Sequence, residues 1–330
     1  MKENLKALVL AEHRDGKLRK SACEVLSAAR VLAEPSGGSV GAVVLGPGAE
    51  GAVPELHAWG ARDVWWAEEP GLTPYAPLRW LRALIAALEQ ARPTVLLLSA
   101  SSLGRDLAPR LSARVGGVFA SDVLGLRCAK ETFQLVRPVL GGRFLETVQP
   151  AAAPVVLTLR PSVFPARKPP SPAAGRVERL DVPDLPADLR AVVPSMAVPE
   201  GARKDLSEAG IVVCGGRGLG SRESFRWVHE LADALGAAAG ASRAAVDAGF
   251  APPALQIGQS GKTVSPRLYL ALGISGSLQH LAGMRTSRCV VAVNRDPQAP
   301  IFKWADYGVV GDALEIVPAL IAALKTGAGR

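Results

Sequence analysis

Polar residues suited to binding an electron-rich ligand follow short apolar segments in the second half of the chain. The apolar run Leu268–Gly273 leads into Ile-Ser-Gly-Ser-Leu-Gln-His280, and a second apolar run, Val290–Asn294, comes soon after. We interpret this stretch as a buried strand, a tight Gly/Ser turn, a helix beginning near Ser275 and another buried strand. Turn amides at a helix N-terminus attract negative charge, and His280 would lie in the first turns. The pattern favours a bound ligand over packing alone.

A glycine-rich loop, Gly215-Gly-Arg-Gly-Leu-Gly220, follows the predicted strand Ile211–Cys214. Such loops let backbone amides approach phosphate, and Arg217 can add a charge-assisted hydrogen bond. Ser221 stands where the G-x-G-x-x-G pattern has its third glycine. The loop alone therefore leaves two interpretations open, a ligand loop and an ordinary tight turn.

A second loop, Gly258-Gln-Ser-Gly-Lys-Thr263, resembles the end of a phosphate-binding P-loop. Gln256 occupies the position of the first P-loop glycine, which argues against a kinase or an ATPase. Gln259 and Ser260 still offer polar groups on a flexible backbone between apolar segments. A ligand loop and a surface turn again remain the alternatives.

Ser242 and Arg243 are placed at the start of a predicted apolar strand, Ala241–Val246. An arginine at a strand end is either a solvated surface residue or a cation that faces a ligand ring, and its charge survives burial. In an open α/β sheet the carboxyl ends of the strands converge on one crevice. The separate weak signals in this half of the chain therefore point to one shared site.

His280, Asn294 and Asp312 each have an ordinary structural interpretation. A single histidine on a helix is usually a satisfied core residue, and the other two are typical turn and helix N-cap residues. No nucleophile with a neighbouring acid or base stands out in the sequence. The sequence therefore gives no indication of covalent or acid–base catalysis on a substrate.

The first half of the chain alternates β-rich apolar runs with helical patterns, which predicts βαβ units and a parallel sheet. Strands are predicted at Lys6–Ala11, Val40–Leu45, Asp63–Trp66 and Thr94–Ser99, and helices at Ser21–Leu32, Pro74–Ala91 and Leu107–Val115. Gln134–Leu140 and Pro154–Leu159 are predicted as later strands, with antiparallel pairing as one option. Recurrent prolines between Pro161 and Pro199 indicate an extended connection that could also lie along a partner.

We therefore place a domain boundary near residue 200, between an N-terminal α/β domain (1–200) and a second α/β domain (201–330). The remaining elements of the second domain are predicted as helix Glu223–Leu235, strand Tyr307–Val310 and helix Ala313–Leu324. The fold class predicted is α/β with two domains: a mostly parallel N-terminal sheet and a doubly wound C-terminal domain.

Composition excludes several function classes. The chain has 330 residues, a net charge of +8, 48% hydrophobic and 21% charged residues, and only 5% aromatic residues. Its Lys and Arg residues are dispersed without interleaved aromatics, which disfavours nucleic acid. No apolar run is long enough to cross a bilayer, so we expect a cytoplasmic protein that does not span a membrane. The scattered cysteines and histidines predict neither disulfides nor a metal site.

Several segments, taken in order, resemble the electron transfer flavoprotein alpha subunit. The run from Leu268 to Met284 is the most specific, and Val9-Leu-Ala-Glu-His13 with Gly16-Lys-Leu extends a weaker resemblance to the N-terminus. The other matching segments are Gly215-Gly-Arg-Gly-Leu, Gly240-Ala-Ser-Arg243, Gly258-Gln-Ser-Gly-Lys262, Ala299-Pro-Ile-Phe302 and Ala305-Asp-Tyr-Gly308. The resemblance implies one FAD in the C-terminal domain and a heterodimer with a beta subunit, contacted by the N-terminal domain.

The resemblance also implies which residues bind FAD. Arg217 and Ser242 would hold the pyrophosphate, and Asn294 and Asp312 would bind the adenosine part. Arg243 would lie over the isoalloxazine ring. The full implied set is Arg217, Ser242, Arg243, Ile257, Gly258, Gln259, Ser260, Ser275, Gly276, Ser277, Leu278, Gln279, His280, Asn294 and Asp312.

Two segments of this set would surround the ring itself. Ile257 to Ser260 would line the isoalloxazine, with the Ser260 hydroxyl near N5, and Ser275 to His280 would surround its N1 and C2-carbonyl side. Many family members have threonine where this chain has Ser260, so the hydroxyl is kept and a methyl group is lost. A helix N-terminus, Arg243 and a donor from His280 would together stabilise the anionic one-electron-reduced flavin.

The function implied is that of an electron carrier rather than an enzyme. It would accept electrons from flavin dehydrogenases, such as the acyl-CoA dehydrogenases of fatty acid β-oxidation, and pass them to a membrane quinone oxidoreductase. One alternative is the FAD subunit of an NADH-oxidising bifurcating complex with another flavin in the beta subunit. A second alternative is a nucleotide-binding regulatory module without redox function.

Overall fold

The structure, a computed structural model, describes residues 4–129, 132–182 and 205–327. The chain divides into two compact units, Met1–Val198 and Pro199–Arg330. The predicted boundary near residue 200, and the proline-rich connection beyond residue 182, lie outside the described residues. Each unit is described by itself.

The N-terminal unit contains a seven-stranded parallel sheet and two smaller antiparallel sheets. Its elements in chain order are β1 (Lys6–Leu10), β2 (His13–Arg14), β3 (Lys17–Leu18), α1 (Lys20–Ala33), β4 (Ser39–Leu45), α2 (Val53–Ala58), β5 (Asp63–Ala67), α3 (Pro77–Ala91), β6 (Val95–Ser99), α4 (Ser102–Val115), β7 (Val118–Val123), β8 (Gly125–Ala129), β9 (Thr132–Val139), β10 (Phe144–Val148), β11 (Val155–Leu159) and β12 (Val177–Arg179). The large sheet has the order β12-β5-β4-β1-β6-β11-β7.

Both faces of this sheet are covered, which explains its continuous apolar strands. Ala7 and Val9 pack into a core cluster with α1, whereas Leu8 and Leu10 pack into a second cluster with α3 and α4. Successive side chains of β1 therefore point alternately into two apolar layers, one on each face of the sheet, and neither face is polar. The predicted strands and helices of this half are present, with ends shifted by a few residues.

Antiparallel pairing, given as an option for the two later strands, holds for only one of them: β9 pairs antiparallel with β8 and β10. The strand predicted at Pro154–Leu159 does not run antiparallel to its neighbours, because β11 inserts between β6 and β7 and pairs parallel to both. Strands β8, β9 and β10 form a separate antiparallel sheet between β7 and β11, so the chain leaves the large sheet and returns. A returning crossover of this length permits parallel pairing.

The C-terminal unit is built on a six-stranded sheet in which all pairs are parallel. Its elements are β13 (Ile211–Gly215), α5 (Arg226–Ala234), β14 (Ala238–Ser242), α6 (Arg243–Asp247), β15 (Gln256–Ile257), β16 (Leu268–Leu272), α7 (Leu278–Leu281), β17 (Val290–Asn294), β18 (Tyr307–Val310) and α8 (Ala313–Gly327). The strand order is β15-β14-β13-β16-β17-β18. The chain first winds outward from β13 and then returns beside it, so the direction of winding reverses between β13 and β16.

The two faces of this sheet are covered differently. On one face α5 and α8 pack against Val213 and Leu270. On the other face the core is closed mainly by short turns and by residues such as Ile257, Ile274 and Met284. Loops rather than long helices therefore cover the second face. The predicted α/β class with two parallel sheets is confirmed.

The strand predicted at Ala241–Val246 was misplaced. The strand, β14, ends at Ser242, and the residues from Arg243 onward are helical. The alanine- and glycine-rich sequence before it lacks the β-branched residues that mark a strand, and the Ser242 hydroxyl caps the following helix. Within the described ranges, no helix has both the length and the apolar character needed to span a membrane.

Candidate functional site

A cleft of about 620 Å³ opens at the carboxyl ends of the strands in the C-terminal unit. It lies beside the reversal between β13 and β16, where open α/β sheets bind their ligands. All the residues of the predicted site except Leu278 and Asp312 line this cleft. The sequence reasoning missed six further lining residues: Gly218, Ala244, Asp247, Gln256, Gly273 and Ile274.

Two glycine loops form one wall of the cleft by close backbone approach. Gly216 donates its N–H to the Leu272 carbonyl at 2.8 Å, and Gly218 donates to the Gly273 carbonyl at 3.0 Å. A Cβ at Gly218 would meet the Gly273 oxygen at 2.7 Å, and Gly273 has a positive φ of 63°. Only glycine fits this crossing without strain. The loop after β13 is thus a tight turn and also part of the cleft, with Arg217 exposed on its rim.

Ser242 and Arg243 enter the cleft from the end of β14. The Ser242 hydroxyl is buried and accepts a hydrogen bond from the Ala245 N–H at 3.3 Å, so it caps α6. Arg243 is the first residue of α6, and its guanidinium lies 3.5 Å from the Asp247 carboxylate. Their side chains are 70% and 65% exposed. The positive charge at this rim is therefore partly compensated and screened by solvent.

The loop after β15 is fastened to the segment that contains His280. Gly258 has a positive φ of 145°, and a Cβ there would meet the Gln279 carbonyl oxygen at 3.0 Å. The Gln259 N–H donates to that same carbonyl at 2.8 Å. The Ser260 hydroxyl accepts a hydrogen bond from the Gln256 side-chain amide at 3.0 Å. Its own hydrogen remains able to point into the cleft as a donor.

The helix predicted to begin near Ser275 begins three residues later. The helix α7 covers only Leu278–Leu281, and the Ser277 hydroxyl caps it by accepting from the His280 N–H at 3.4 Å. The preceding turn packs closely against Ile301 at Gly276. A Cβ at Gly276 would lie only 2.5 Å from the backbone nitrogen of Ile301. One turn of helix carries little macrodipole, so the predicted dipole contribution is small. Leu278 is 54% exposed and lies outside the cleft lining.

His280 is the most unusual side chain in the cleft. Its imidazole is only 5% exposed, and its Nε2 lies 2.9 Å from the Tyr269 hydroxyl. Burial lowers the pKa of His280 to about 4, and a weak polar contact with the Ile257 backbone opposes this shift only in part. The buried Nδ1 has no hydrogen-bond partner of good geometry within the described part of the chain. A neutral imidazole with an unsatisfied nitrogen is therefore held in the wall of the cleft.

Asn294 and Asp312 differ in their relation to the cleft. Asn294 lines it at the end of β17, where its amide donates to the Ile274 carbonyl at 2.8 Å and accepts from the Asp296 N–H at 3.0 Å. Asp312 lies outside the lining and forms an ion pair with Arg295. The hydrogen bond from Arg295 lowers the pKa of Asp312.

The cleft has the features expected of a site for a dinucleotide cofactor. Its volume lies in the usual range for small-molecule sites, roughly 300–1,000 Å³. Crossing glycines leave room for a ligand backbone, and the buried imidazole of His280 lines the cleft. Backbone amides and polar side chains at the strand ends suit an electron-rich cofactor, so a dinucleotide fits the residues that are present. Fold and site together define an α/β domain of the dinucleotide-binding class.

Comparison with known proteins identifies the family to which the chain is similar. Residues 7–185 match the electron transfer flavoprotein domain, and residues 205–285 match the electron transfer flavoprotein FAD-binding domain. The chain is 41% identical over 319 residues to the electron transfer flavoprotein subunit alpha of Thermoanaerobacterium thermosaccharolyticum, covering 96% of this chain and 97% of that one. It is 43% identical over 324 residues to the protein of the same name from Mycobacterium tuberculosis, covering 98% and 99%.

A third relative carries a different name. Protein FixB of Clostridium saccharobutylicum is 38% identical over 320 residues, which cover 96% of this chain and 95% of that protein. The chain belongs to the electron transfer flavoprotein alpha subunit family, and its role is electron transfer. The resemblance inferred from the sequence motifs is thereby confirmed.

Two of the missed features had usable signals in the sequence. Asp247 stands four residues after Arg243, the spacing at which opposite charges pair on a helix, but the segment was interpreted as a strand. Gly218 and Gly273 were both visible as glycines in predicted turns. The close approach between them depends on the register of β13 and β16, which a single sequence does not provide.

Proposed function

We propose that this chain is the flavin-bearing subunit of a heterodimer with an electron transfer flavoprotein beta subunit, and that it binds one FAD in the C-terminal cleft. It acts in the cytoplasm as a carrier between flavin dehydrogenases and a membrane quinone oxidoreductase. Acyl-CoA dehydrogenases of fatty acid β-oxidation are the donors we favour. The observation that best supports FAD in this cleft is that crossing glycine loops and the predicted polar residues line it, within a domain that matches the electron transfer flavoprotein FAD-binding domain.

FAD, when bound, supplies reversible one-electron and two-electron transfer. The chain's contribution is binding and electrostatics. Arg243 brings a positive charge to the ring end of the cleft, and Asp247 reduces its effect. His280 offers a neutral polar contact from a wall that is shielded from water, and Ser260 offers a hydroxyl donor from the adjacent loop. Electrostatic interactions count for more in such a shielded wall than at the exposed rim.

The other cleft residues are proposed to contact the following parts of FAD. Arg217 and Ser242 hold the pyrophosphate near the glycine loop after β13. Isoalloxazine contacts come from Ile257, Gly258 and Gln259. Ser275, Gly276, Ser277 and Gln279 surround the N1 side of the ring, and Leu278, which lies outside the cleft lining, adjoins them at the start of α7.

At the other end of the cofactor, Asn294 and Asp312 bind the adenosine part. Asp312 lies outside the cleft lining, so its contribution is an indirect one through the start of α8. Substitution of Asn294 should therefore weaken FAD binding more than substitution of Asp312.

We propose that residues 1–200 form the domain that contacts the beta subunit and that residues 201–330 form the FAD-binding domain. A fragment of residues 201–330 should therefore bind FAD but fail to assemble with the beta subunit. The measurement is flavin content and co-elution with the partner in size-exclusion chromatography. A fragment that assembles normally would contradict this division of roles.

The experiment that tests the proposed function is co-purification of the chain with an electron transfer flavoprotein beta subunit from the same organism, followed by cofactor identification and an anaerobic reductive titration. We expect FAD in the complex and a stage at which one electron per flavin accumulates. Two flavins per heterodimer together with NADH oxidation would instead identify the bifurcating complex. A colourless complex that binds adenine nucleotides would replace the carrier by a regulatory module.

A further inference from the structure

Behind the cleft wall lies a buried chain of three polar side chains, His280, Tyr269 and Cys214. The Tyr269 hydroxyl is 2.9 Å from His280 Nε2, and it also forms a hydrogen bond with the Cys214 thiol. Tyr269 and Cys214 lie on the adjacent strands β16 and β13 and are 0% exposed. Polar groups are tolerated in such a core only when their hydrogen bonds are satisfied.

The donors and acceptors of this chain can be arranged in two ways. A neutral imidazole has one N–H and one acceptor nitrogen. In the first arrangement the Cys214 thiol donates to Tyr269, the Tyr269 hydroxyl donates to His280 Nε2, and the proton of the ring is on Nδ1. In the second arrangement every bond is reversed, and Nδ1 carries a lone pair.

The first arrangement makes better use of each group. The phenol is a strong donor and the imidazole nitrogen is a strong acceptor, whereas sulfur is a weak partner in either role. Reversal would spend the phenolic hydrogen on sulfur, the weaker acceptor. The first arrangement pairs the stronger donor with the stronger acceptor and is therefore favoured.

We propose that Tyr269 is a positioning residue: its hydroxyl donates to His280 Nε2 and thereby fixes the tautomer that carries its proton on Nδ1. The ligand of that N–H, an electron-rich acceptor on the flavin ring, rests on the proposed function. The tautomer itself rests only on the buried hydrogen bonds of the chain.

The identity of residue 269 fits this role. An ionised carboxylate at the same place could only accept from the ring, and it would favour the charged imidazolium. A tyrosine hydroxyl orients the ring without adding charge. The hydrogen bond from Tyr269 therefore keeps the imidazole proton on one nitrogen while His280 stays neutral.

The direct test is nitrogen NMR of the full-length chain labelled with ¹⁵N-histidine, with and without FAD, using His280→Gln to assign the signal. We expect Nδ1 to carry the proton in both states, and Tyr269→Phe to shift the population toward Nε2–H. Tyr75→Phe is the matched control, because it removes another tyrosine hydroxyl that is hydrogen-bonded to a side chain, Asp106 at 2.6 Å. Nε2–H in the wild-type chain, or an unchanged tautomer in Tyr269→Phe, would overturn the inference.

FAD affinity provides a second readout that a merely structural role would not reproduce. Tyr269→Phe should weaken FAD binding about three- to tenfold, the loss expected for one net hydrogen bond. In a His280→Ala background the same substitution should cause no further loss, because Tyr269 acts through His280. Equal losses in both backgrounds would contradict the positioning role. Failure of the wild-type chain to bind FAD would contradict the proposed function and leave the tautomer result to stand alone.

Discussion

Acidification should destabilise the C-terminal unit through His280. The imidazole is 5% exposed, and burial lowers its pKa from 6.5 to about 4. Below pH 6.5 the unfolded chain takes up a proton at this residue, whereas the folded chain does not until the pH approaches 4. The stability is therefore complete above pH 6.5 and falls as the pH is lowered toward the folded-state pKa.

The size of the effect follows from the shift. A difference of about 2.5 pKa units corresponds to about 3 kcal/mol at about 1.4 kcal/mol per unit. About 2 kcal/mol of this should be lost between pH 7 and pH 5. That is a large fraction of the stability of an ordinary domain, roughly 5–15 kcal/mol.

Hydrogen exchange of the amides in β13 and β16 measures this loss within the C-terminal unit, because core strands exchange through the largest opening reactions. His280→Gln is the control. Glutamine is uncharged at every pH, and the wild type and the variant have all other histidines in common. The opening free energy of the wild type minus that of His280→Gln should decline by about 2 kcal/mol from pH 7 to pH 5. Parallel profiles for the wild type and His280→Gln would refute the assignment of His280 as a buried neutral group.

Two further predictions concern the cleft. Arg243→Ala should lower the flavin potential by about 40 mV and Asp247→Asn should raise it by a similar amount, about 1 kcal/mol each after solvent screening. Redox titration of the complex measures both potentials. Arg226→Ala on α5 is the control, because it removes an arginine that is paired at the same helical spacing. Shifts of the same sign and size for Arg243→Ala and Asp247→Asn would contradict the placement of this ion pair beside the flavin ring. Gly273→Ala should cost about 2 kcal/mol in unfolding and weaken FAD binding, because its Cβ would meet the Gly218 backbone at 2.9 Å. Gly220→Ala, with positive φ and open space, should cost only about 1 kcal/mol, and equal losses would argue against the contact.

The sequence predicted most of the fold because its strands are covered on both faces. Val95 to Leu98 form a continuous apolar run, and the parallel sheet follows from alternation of such runs with helices. The position of β11 was not predictable in the same way. Whether a returning strand is inserted between two others or added at an edge depends on tertiary packing, and Pro154–Leu159 carries no local signal for it.

The candidate site was predictable as a set of residues but not as a geometry. Motifs from Arg217 to Asn294 placed the polar residues at strand ends, and the sheet brings them to one cleft. The helix after Ser275 was overestimated because Gly276 and Ser277 are compatible with either a turn or a helix start. The hydrogen bond between Tyr269 and His280 joins a residue of β16 to a residue of α7, so no periodicity within one element predicts it.

The most direct test of the central claim is a titration of the full-length chain with FAD that follows the Nδ1 signal of His280. We expect this signal to shift progressively and to saturate at one FAD per chain, because the imidazole of His280 lines the cleft that FAD would occupy. Binding of FAD without any change at His280, or no binding at all, would contradict the assignment of this cleft as the flavin site.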